Sequence, residues 1–481
     1  MDVLLITPTE EYSKDVGDVV SLFISDYALH VNEDCAADII ITHDESIVSG
    51  TRKLSISLSG IYYTSSFSEE KIYSDKIVNK RIHKRQLKLN LYSALKEATS
   101  ISPPWGALTG IRPTRLVYSY MAEGITLEES LSKLSSYYDV SSEKTELLKA
   151  VILEQKKYDS SDTRDVNIYV GIPFCLSRCR YCSFFSALAD DIRLMERYTD
   201  CLIKEISAVK DMLKTSEYNI RCVYFGGGTP TALSENMLER IFIELENIIS
   251  SAREVTVESG RPDSINREKL SLIKSFNIDR ISINPQTKHL ATLKAIGRNH
   301  TSEEIEQTFY LARDMGFNNI NMDLIAGLPG EKIDMFMDTL NWASKMNPES
   351  LTVHTLSIKR ASLMHLWKDS LPDGNIVSSM IDSALEYCIN NKMNPYYLYR
   401  QKNQAGNLEN IGFAKEGKAC LYNIDTMEDT CSVIALGAGG ISKRVWENRK
   451  LIKRSPNMMD PYRYIERIDE MIERKRQLFF S

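Results

Sequence analysis

The stretch Tyr169-Val-Gly-Ile-Pro-Phe-Cys-Leu-Ser-Arg-Cys-Arg-Tyr-Cys182 starts as an apolar run and ends in three cysteines spaced C-x3-C-x2-C. Val166 to Pro173 reads as a β-strand, so Cys175, Cys179 and Cys182 stand in the loop at its end. Three thiolates in one short loop suit a soft metal centre. A tetrahedral zinc site would seek a fourth Cys or His, and the nearest histidine downstream is His289. A four-iron cluster held by three cysteines instead leaves one iron open to a ligand.

Outward from this loop the chain repeats one rhythm, an apolar run closed by Gly or Pro and followed by a longer amphipathic stretch. Further strands are expected at Arg221–Phe225, Glu254–Val257, Arg280–Asn284, Ile320–Ile325 and Leu351–Leu356. Helical spacing of apolar residues marks Leu194–Leu213, Glu235–Ile249, Glu303–Met315 and Met335–Met346. Strands alternating with helices imply parallel strands joined by crossovers, and a partial (β/α)6 barrel is the simplest closure. The chemistry then belongs at the strand ends, where the loops after the strands form the functional face.

Residues 1–160 have a different character, with an alternating run from Lys53 to Tyr63, the basic segment Lys80–Lys88 and a helical end near Glu143–Tyr158. They read as a small α/β domain, followed by a polar linker at Asp159–Asp165, the barrel at 161–381 and a C-terminal cap at 382–481 that closes in a charged helix, Tyr462–Arg476. With 59 Lys+Arg against 65 Asp+Glu, the formal charge of −6 argues against a protein built mainly to hold nucleic-acid phosphates. The basic segment reads first as a solvated face; binding of tRNA is its alternative. The N-terminus lacks the basic and apolar regions of a signal peptide, and no apolar run is long enough to span a bilayer, so a cytoplasmic location is expected. In that reducing compartment the nine cysteines are more readily ligands or nucleophiles than disulfide partners.

The other strand ends carry polar or glycine-rich groups. Gly226-Gly227-Gly228-Thr229-Pro230 follows the second strand, where glycines admit a close ligand. Glu258 ends the third strand, Gln286 follows the fourth, and Asp323 lies on the fifth ahead of Gly327-Leu-Pro-Gly330. Arg298 adds a cation. Such a ring suits a cofactor with sugar, amine and carboxylate groups.

The three cysteines resemble the signature of the radical S-adenosylmethionine (SAM) enzymes. That resemblance implies a [4Fe-4S] cluster on Cys175, Cys179 and Cys182, with the open iron binding the amino and carboxylate groups of SAM. It further implies that Tyr181 packs on adenine, that Tyr169 lies near the sulfonium and carboxylate, that Gly227, Gly228 and Thr229 meet the methionine part, and that Glu258, Gln286, Arg298 and Asp323 complete the pocket. Within the superfamily the chain is similar to oxygen-independent coproporphyrinogen oxidases of the HemZ type, or coproporphyrinogen dehydrogenases. The similarity runs through YVGIPF, YFGGGTPTAL, VESGRPDSI, MDLIAGLPGE, PYYLYRQKNQAGNLENIGFA and, at 108–116, LTGIRPTRL.

This likeness implies oxidative decarboxylation of two propionates of coproporphyrinogen III to vinyl groups, giving protoporphyrinogen IX, with electrons from a donor such as flavodoxin or ferredoxin. The tetracarboxylate substrate calls for fixed cations, and Lys359, Arg360, Arg400, Lys402 and Arg444 are the candidates. The better-known oxidases carry a fourth cysteine two positions after the third, where this chain has Ser183 and Phe184 after Cys182. Relatives without it include the HemW-type heme-binding proteins, so heme carriage is an alternative, with His354 the best-placed axial ligand.

Overall fold

All six expected parallel strands are present in a computed structural model of the chain, which describes residues 1–481 apart from 25, 73, 111, 159–161, 360, 368–371, 402–403, 447–450 and 481. The chain divides into two units, Met1–Lys149 and Ala150–Ser481.

In the first unit, β1 (Asp2–Ile6), α1 (Ser13–Val20), β2 (Ala28–Val31), β3 (Ile39–Val48), β4 (Thr51–Gly60) and β5 (Thr64–Lys71) precede α2 (Lys76–Thr99), α3 (Pro113–Ala122), α4 (Leu127–Tyr138) and α5 (Ser142–Gln155), which runs past the division. The sheet order is β2-β1-β3-β4-β5. Leu87, Leu91 and Leu95 of α2, at helical spacing, join a core with Ile39 and Ile41 of β3 and Leu54, Ile56 and Leu58 of β4. The basic segment is the start of α2, capped by the Asp75 side chain. Its lysines are ion-paired, Lys80 with Glu11 and both Lys84 and Lys88 with Asp15.

In the second unit the order is β6 (Asp165–Ile172), β7 (Phe174–Cys175), β8 (Ala187–Leu188), α6 (Ile192–Lys214), β9 (Asn219–Gly227), α7 (Glu235–Ser251), β10 (Glu254–Gly260), α8 (Arg267–Ser275), β11 (Arg280–Ile283), α9 (Leu290–Ala295), α10 (Ser302–Asp314), β12 (Asn319–Ala326), α11 (Ile333–Lys345), β13 (Ser350–Thr355), α12 (Leu363–Leu366) and α13 (Gly374–Asn390). Then come β14 (Asn394–Arg400), β15 (Glu409–Ala414), α14 (Leu421–Glu428), β16 (Ser432–Leu436), β17 (Ile441–Val445), β18 (Ile452–Pro456), α15 (Pro461–Glu466) and α16 (Ile468–Phe479). Strands β6, β9, β10, β11, β12 and β13 pair in parallel, in that order, as the partial (β/α)6 barrel. Crossover helices such as α6, with Leu194, Tyr198, Leu202, Ile206 and Val209 buried, cover the outer face.

The region from 382 onward does more than cover the barrel. α13 spans the boundary expected at 381, β15 adds antiparallel to β13, and β16 adds parallel to β6, so these residues extend the sheet at both edges. The expected single helix Tyr462–Arg476 is two helices that meet at Arg467, whose φ of −118° and ψ of 25° leave the helical region. Helix α14 is tied to the sheet's inner residues. Asp425 accepts hydrogen bonds from Asn167 and Arg221, and the Leu421 and Tyr422 N–H groups donate to Glu254.

Candidate active site at the strand ends

The cysteine loop is closed at its neck and braced on two sides. β7 and β8 pair Phe174 with Ala187 and Cys175 with Leu188. Arg180 N–H donates to the Ile296 carbonyl at 2.9 Å, and its guanidinium donates to the Ala295 carbonyl at 2.8 Å and lies 4.3 Å from the Trp367 ring. The Arg261 guanidinium donates to Ser177 Oγ at 2.6 Å while pairing with Asp263 at 2.5 Å.

The second strand end presses on the same loop. Gly228 N–H donates to the Ile172 carbonyl at 2.8 Å, Thr229 N–H to the Phe174 carbonyl at 2.7 Å, and Thr229 Oγ1 lies 3.7 Å from Cys175 Sγ. Burial, with the charges of Cys179 and Cys175 added, pushes the Cys182 thiol up to about 11 against a hydrogen bond from the Phe184 N–H. Arg298 is buried, donates to the Asn284 carbonyl at 2.5 Å and bonds the Tyr181 and Cys179 side chains. Tyr181 packs against Leu293, Ile296, Ile325, Leu328, Leu356, Ile358 and Met364, a mostly aliphatic floor.

Along the inner face Tyr169, Tyr224, Glu258, Asp323 and His354, one from each of five strands, keep partial exposure among buried neighbours and so line an interior space. Tyr169 and Tyr224 are register partners on β6 and β9, and their rings stack at 6.4 Å. Tyr422 of α14 stacks on Tyr224 at 4.4 Å and on Tyr169 at 6.2 Å. Tyr224 Oη donates to Glu258 Oε1 at 2.5 Å. Burial pushes Glu258 up to about 7, with the Tyr224 bond opposing and the charge of Asp323 adding. Asp323 is raised by burial but ends below its ordinary value, because His354, Asn321 and Thr352 all favour its charge. His354 Nε2 lies 3.7 Å from Asp323 Oδ2, and His354 Nδ1 lies 3.5 Å from Tyr399 Oη.

Gln286 follows β11 with φ at +67°. Its N–H donates to the Asp323 carbonyl at 2.9 Å, and its carbonyl accepts from Ile325 N–H at 3.1 Å. A non-glycine residue in the left-handed region carries strain of the kind found at ligand sites. Its Oε1 is buried without a hydrogen-bond partner, as are Asn284 Oδ1, Ser282 Oγ, Thr256 Oγ1 and Arg298 Nε.

Comparison with known proteins fits this geometry. The model of the radical SAM superfamily matches residues 169–343, the span from Tyr169 through α11. The chain is 36% identical, over 97% of its length and 96% of the relative's, to the oxygen-independent coproporphyrinogen-III oxidase-like protein HemZ of Bacillus subtilis. The chain belongs to the HemZ family of radical SAM proteins. The heme chaperone HemW of Bacillus subtilis is 30% identical over 41% of this chain and 52% of its own. The structure of coproporphyrinogen III oxidase (HemN) from Escherichia coli, 20% identical, superposes with a TM-score of 0.52 over 69% of this chain and 74% of its own, a likeness of fold.

As a radical SAM protein the chain uses a [4Fe-4S] cluster and SAM, and its residues fit both. The three cysteine sulfurs do not all lie within 4.8 Å of one another, as ligands of a single ion would. A cluster, whose irons each take one thiolate, tolerates the wider spacing. A Cβ at Gly226 would meet Glu258 Oε2 at 2.9 Å and one at Gly228 would meet Cys175 Sγ at 3.0 Å, so both glycines keep the floor open. The orphaned polar atoms near the ends of β10 and β11 offer partners to a ligand with amine, carboxylate and hydroxyl groups.

The structure brings Tyr169, Glu258, Gln286 and Asp323 onto the inner face, and Tyr181, Gly227, Gly228, Thr229 and Arg298 around the cysteine loop. It does not support two of the expected substrate cations. Arg400 is buried and donates to the Asn407 carbonyl, and Arg444 donates to the Leu478 carbonyl and stacks on Trp446. Both are engaged by backbone carbonyls of their own unit. Arg360 and Lys402 lie outside the described residues. Lys359 remains, 5.9 Å from the Phe184 ring and with burial lowering its pKa. Sequence reasoning missed Arg261, Tyr224 and Tyr422. A tyrosine recurring at matching positions of the first two strands was the available signal for Tyr224, whereas nothing local marks Tyr422. No helix among the described residues is long and apolar enough to cross a membrane.

Proposed function

We propose that this protein oxidatively decarboxylates the propionates of coproporphyrinogen III to vinyl groups, giving protoporphyrinogen IX. The observation that carries this reading is the inner wall itself. Tyr169, Tyr224 and Tyr422 stack into an aromatic wall on the inner face, an apolar ring surface that suits the separate pyrrole rings of a puckered porphyrinogen, while Glu258 and the Asp323–His354 pair are left to the cofactor. Cys175, Cys179 and Cys182 would hold the cluster. Tyr169 would lie near the sulfonium and carboxylate of SAM, Gly227, Gly228 and Thr229 would meet its methionine part, Tyr181 its adenine, and Glu258, Gln286, Arg298 and Asp323 would complete the pocket.

When bound, the reduced cluster and SAM supply a hydrogen-abstracting radical. The substrate loses a hydrogen atom from the carbon β to a carboxyl, then carbon dioxide and one electron, which passes to an external acceptor. The chain's task is to orient the propionate. Lys359 at the rim of the cysteine loop is the described cation for that carboxylate. Residues 382–481 would close over the substrate, and a flavodoxin- or ferredoxin-type donor would reduce the cluster.

The test is an anaerobic assay of reconstituted protein with dithionite, SAM and coproporphyrinogen III. Vinyl products formed in step with 5′-deoxyadenosine support the reading; deoxyadenosine with unchanged tetrapyrrole masses refutes the substrate. Heme carriage is the second reading, favoured by Ser183 and Phe184 after Cys182 and by the likeness to HemW. It requires His354 to leave Asp323 and Tyr399. A heme absorption shift on titration that His354→Ala abolishes supports it, and a shift unchanged in that variant removes His354 as the ligand.

A further inference from the structure

A second cluster of ligand-type side chains lies within the first unit. His43 and Glu45 stand two apart on β3 and so face the same side, toward α2, which supplies His83. One ligand atom from each of the three lies within 4.8 Å of the others. His43 and His83 are 1% and 3% exposed. His43 Nε2, His83 Nε2 and Glu45 Oε2 are all buried without a hydrogen-bond partner, although His83 Nε2 stands 3.2 Å from Glu45 Oε2. A buried imidazole nitrogen with no partner, beside a second imidazole nitrogen that faces a carboxylate oxygen at 3.2 Å, is a donor set suited to a cation.

The surrounding groups orient the rings as metal-ligating histidines are oriented. His43 Nδ1 is 2.9 Å from Thr7 Oγ1, and His83 Nδ1 is 3.2 Å from Glu70 Oε1. Each Nδ1 is thereby engaged, which leaves His43 Nε2 without a partner and turns His83 Nε2 to Glu45 Oε2, the second-layer arrangement that fixes an imidazole for a metal. Arg52 donates to Glu70 at 2.5 Å and lies 3.6 Å from Glu45 Oε2. Arg52 offsets one of the two carboxylates, and the other is the anionic ligand offered to a cation. The set His30, Glu33 and Cys35 is weaker, since it lies nearer the surface and its one imidazole has both nitrogens hydrogen-bonded, leaving no unpartnered ring nitrogen such as His43 Nε2.

We propose that His43, Glu45 and His83 form a site for one divalent zinc-class ion, separate from the cysteine loop. Ligands on a tetrahedral zinc with bonds of about 2.0 Å stand about 3.3 Å apart; His83 Nε2 and Glu45 Oε2 already have that spacing at 3.2 Å, and the set as a whole lies within 4.8 Å. Two imidazoles and a carboxylate leave a fourth position for water.

The test uses the full chain with Cys175→Ala, Cys179→Ala and Cys182→Ala, so that the loop thiolates cannot compete. Zn2+ is titrated against a chromophoric chelator, and Co2+ is followed by absorption. One zinc per chain is expected, with visible Co2+ bands and no thiolate charge-transfer band. Glu45→Gln, partly exposed and close in size, is the decisive variant, because a His83 substitution also disturbs the core. It should weaken zinc binding at least about 10-fold, and Glu70→Gln about 10- to 100-fold. Circular dichroism confirms that each variant is folded. Failure of the folded parent to bind zinc, equal affinity in Glu45→Gln, or a thiolate band pointing to Cys35 overturns the proposal.

Discussion

Gly228 lies so close to Cys175 that a Cβ on it would stand 3.0 Å from the cysteine sulfur and 2.5 Å from the Phe174 carbonyl oxygen. The backbone oxygen cannot swing away, because it accepts the Thr229 N–H. Gly228→Ala should therefore displace the neck of the cysteine loop and lower the iron and sulfide bound per chain. Gly110→Ala, which meets nothing within 4 Å, should leave both unchanged. Cys179→Ala should abolish the cluster absorbance altogether.

Asp323 is held charged at the inner face by His354, Asn321 and Thr352. Removing its carboxylate leaves the cysteine loop intact while taking away an anionic partner for cofactor hydroxyl or amine groups. Asp323→Ala should weaken SAM binding at least about 10-fold, the worth of a charged hydrogen bond, with iron content unchanged. Equilibrium dialysis with labelled SAM, alongside iron analysis, separates the two effects.

Glu258, raised from its ordinary 4.5 to about 7, makes stability depend on pH. Between those values the folded chain holds a proton that the unfolded chain has released. Its contribution is thus fully present below about pH 4.5 and lost as pH rises through about 7, amounting to roughly 3 kcal/mol at most. Urea unfolding of the cluster-free protein at pH 5 and pH 8 should show a smaller difference between the two in Glu258→Gln than in the parent.

Glu205 and Lys475 form a buried pair at 2.6 Å, with side chains 0% and 1% exposed. Glu205 also accepts from Tyr464, Asn457 and the Gly437 N–H, which ties α6 to the C-terminal helix and to the turn after β16. Lys475→Met leaves the carboxylate uncompensated in the interior and should cost about 3–5 kcal/mol. The double variant Glu205→Gln/Lys475→Met should recover part of that loss in the same denaturation experiment.

The six parallel strands and the helices between them were legible because each strand carries a short β-branched or apolar stretch, continuous in some and alternating with polar residues in others, and each helix an amphipathic period. The helix break at Arg467 was hidden, since the apolar spacing continues across it. The polar groups at the strand ends could be named from position alone. The orphaned oxygens of Asn284 and Ser282 could not, because being without a partner is a property of the folded surroundings. Arg400 and Arg444 misled for the same reason, as a cation in a promising segment says nothing of which carbonyl it meets.

By itself the sequence determined the cysteine loop, its place after the first strand and the succession of strands, all of which depend on residue type and short-range spacing. Only the tertiary structure decided that Tyr422 from α14 stacks on Tyr169 and Tyr224, that β15 and β16 extend opposite edges of one sheet, and that His83 comes to His43 and Glu45. These contacts join segments far apart in the chain. They are set by which faces are buried together, and no local pattern of residues encodes that choice.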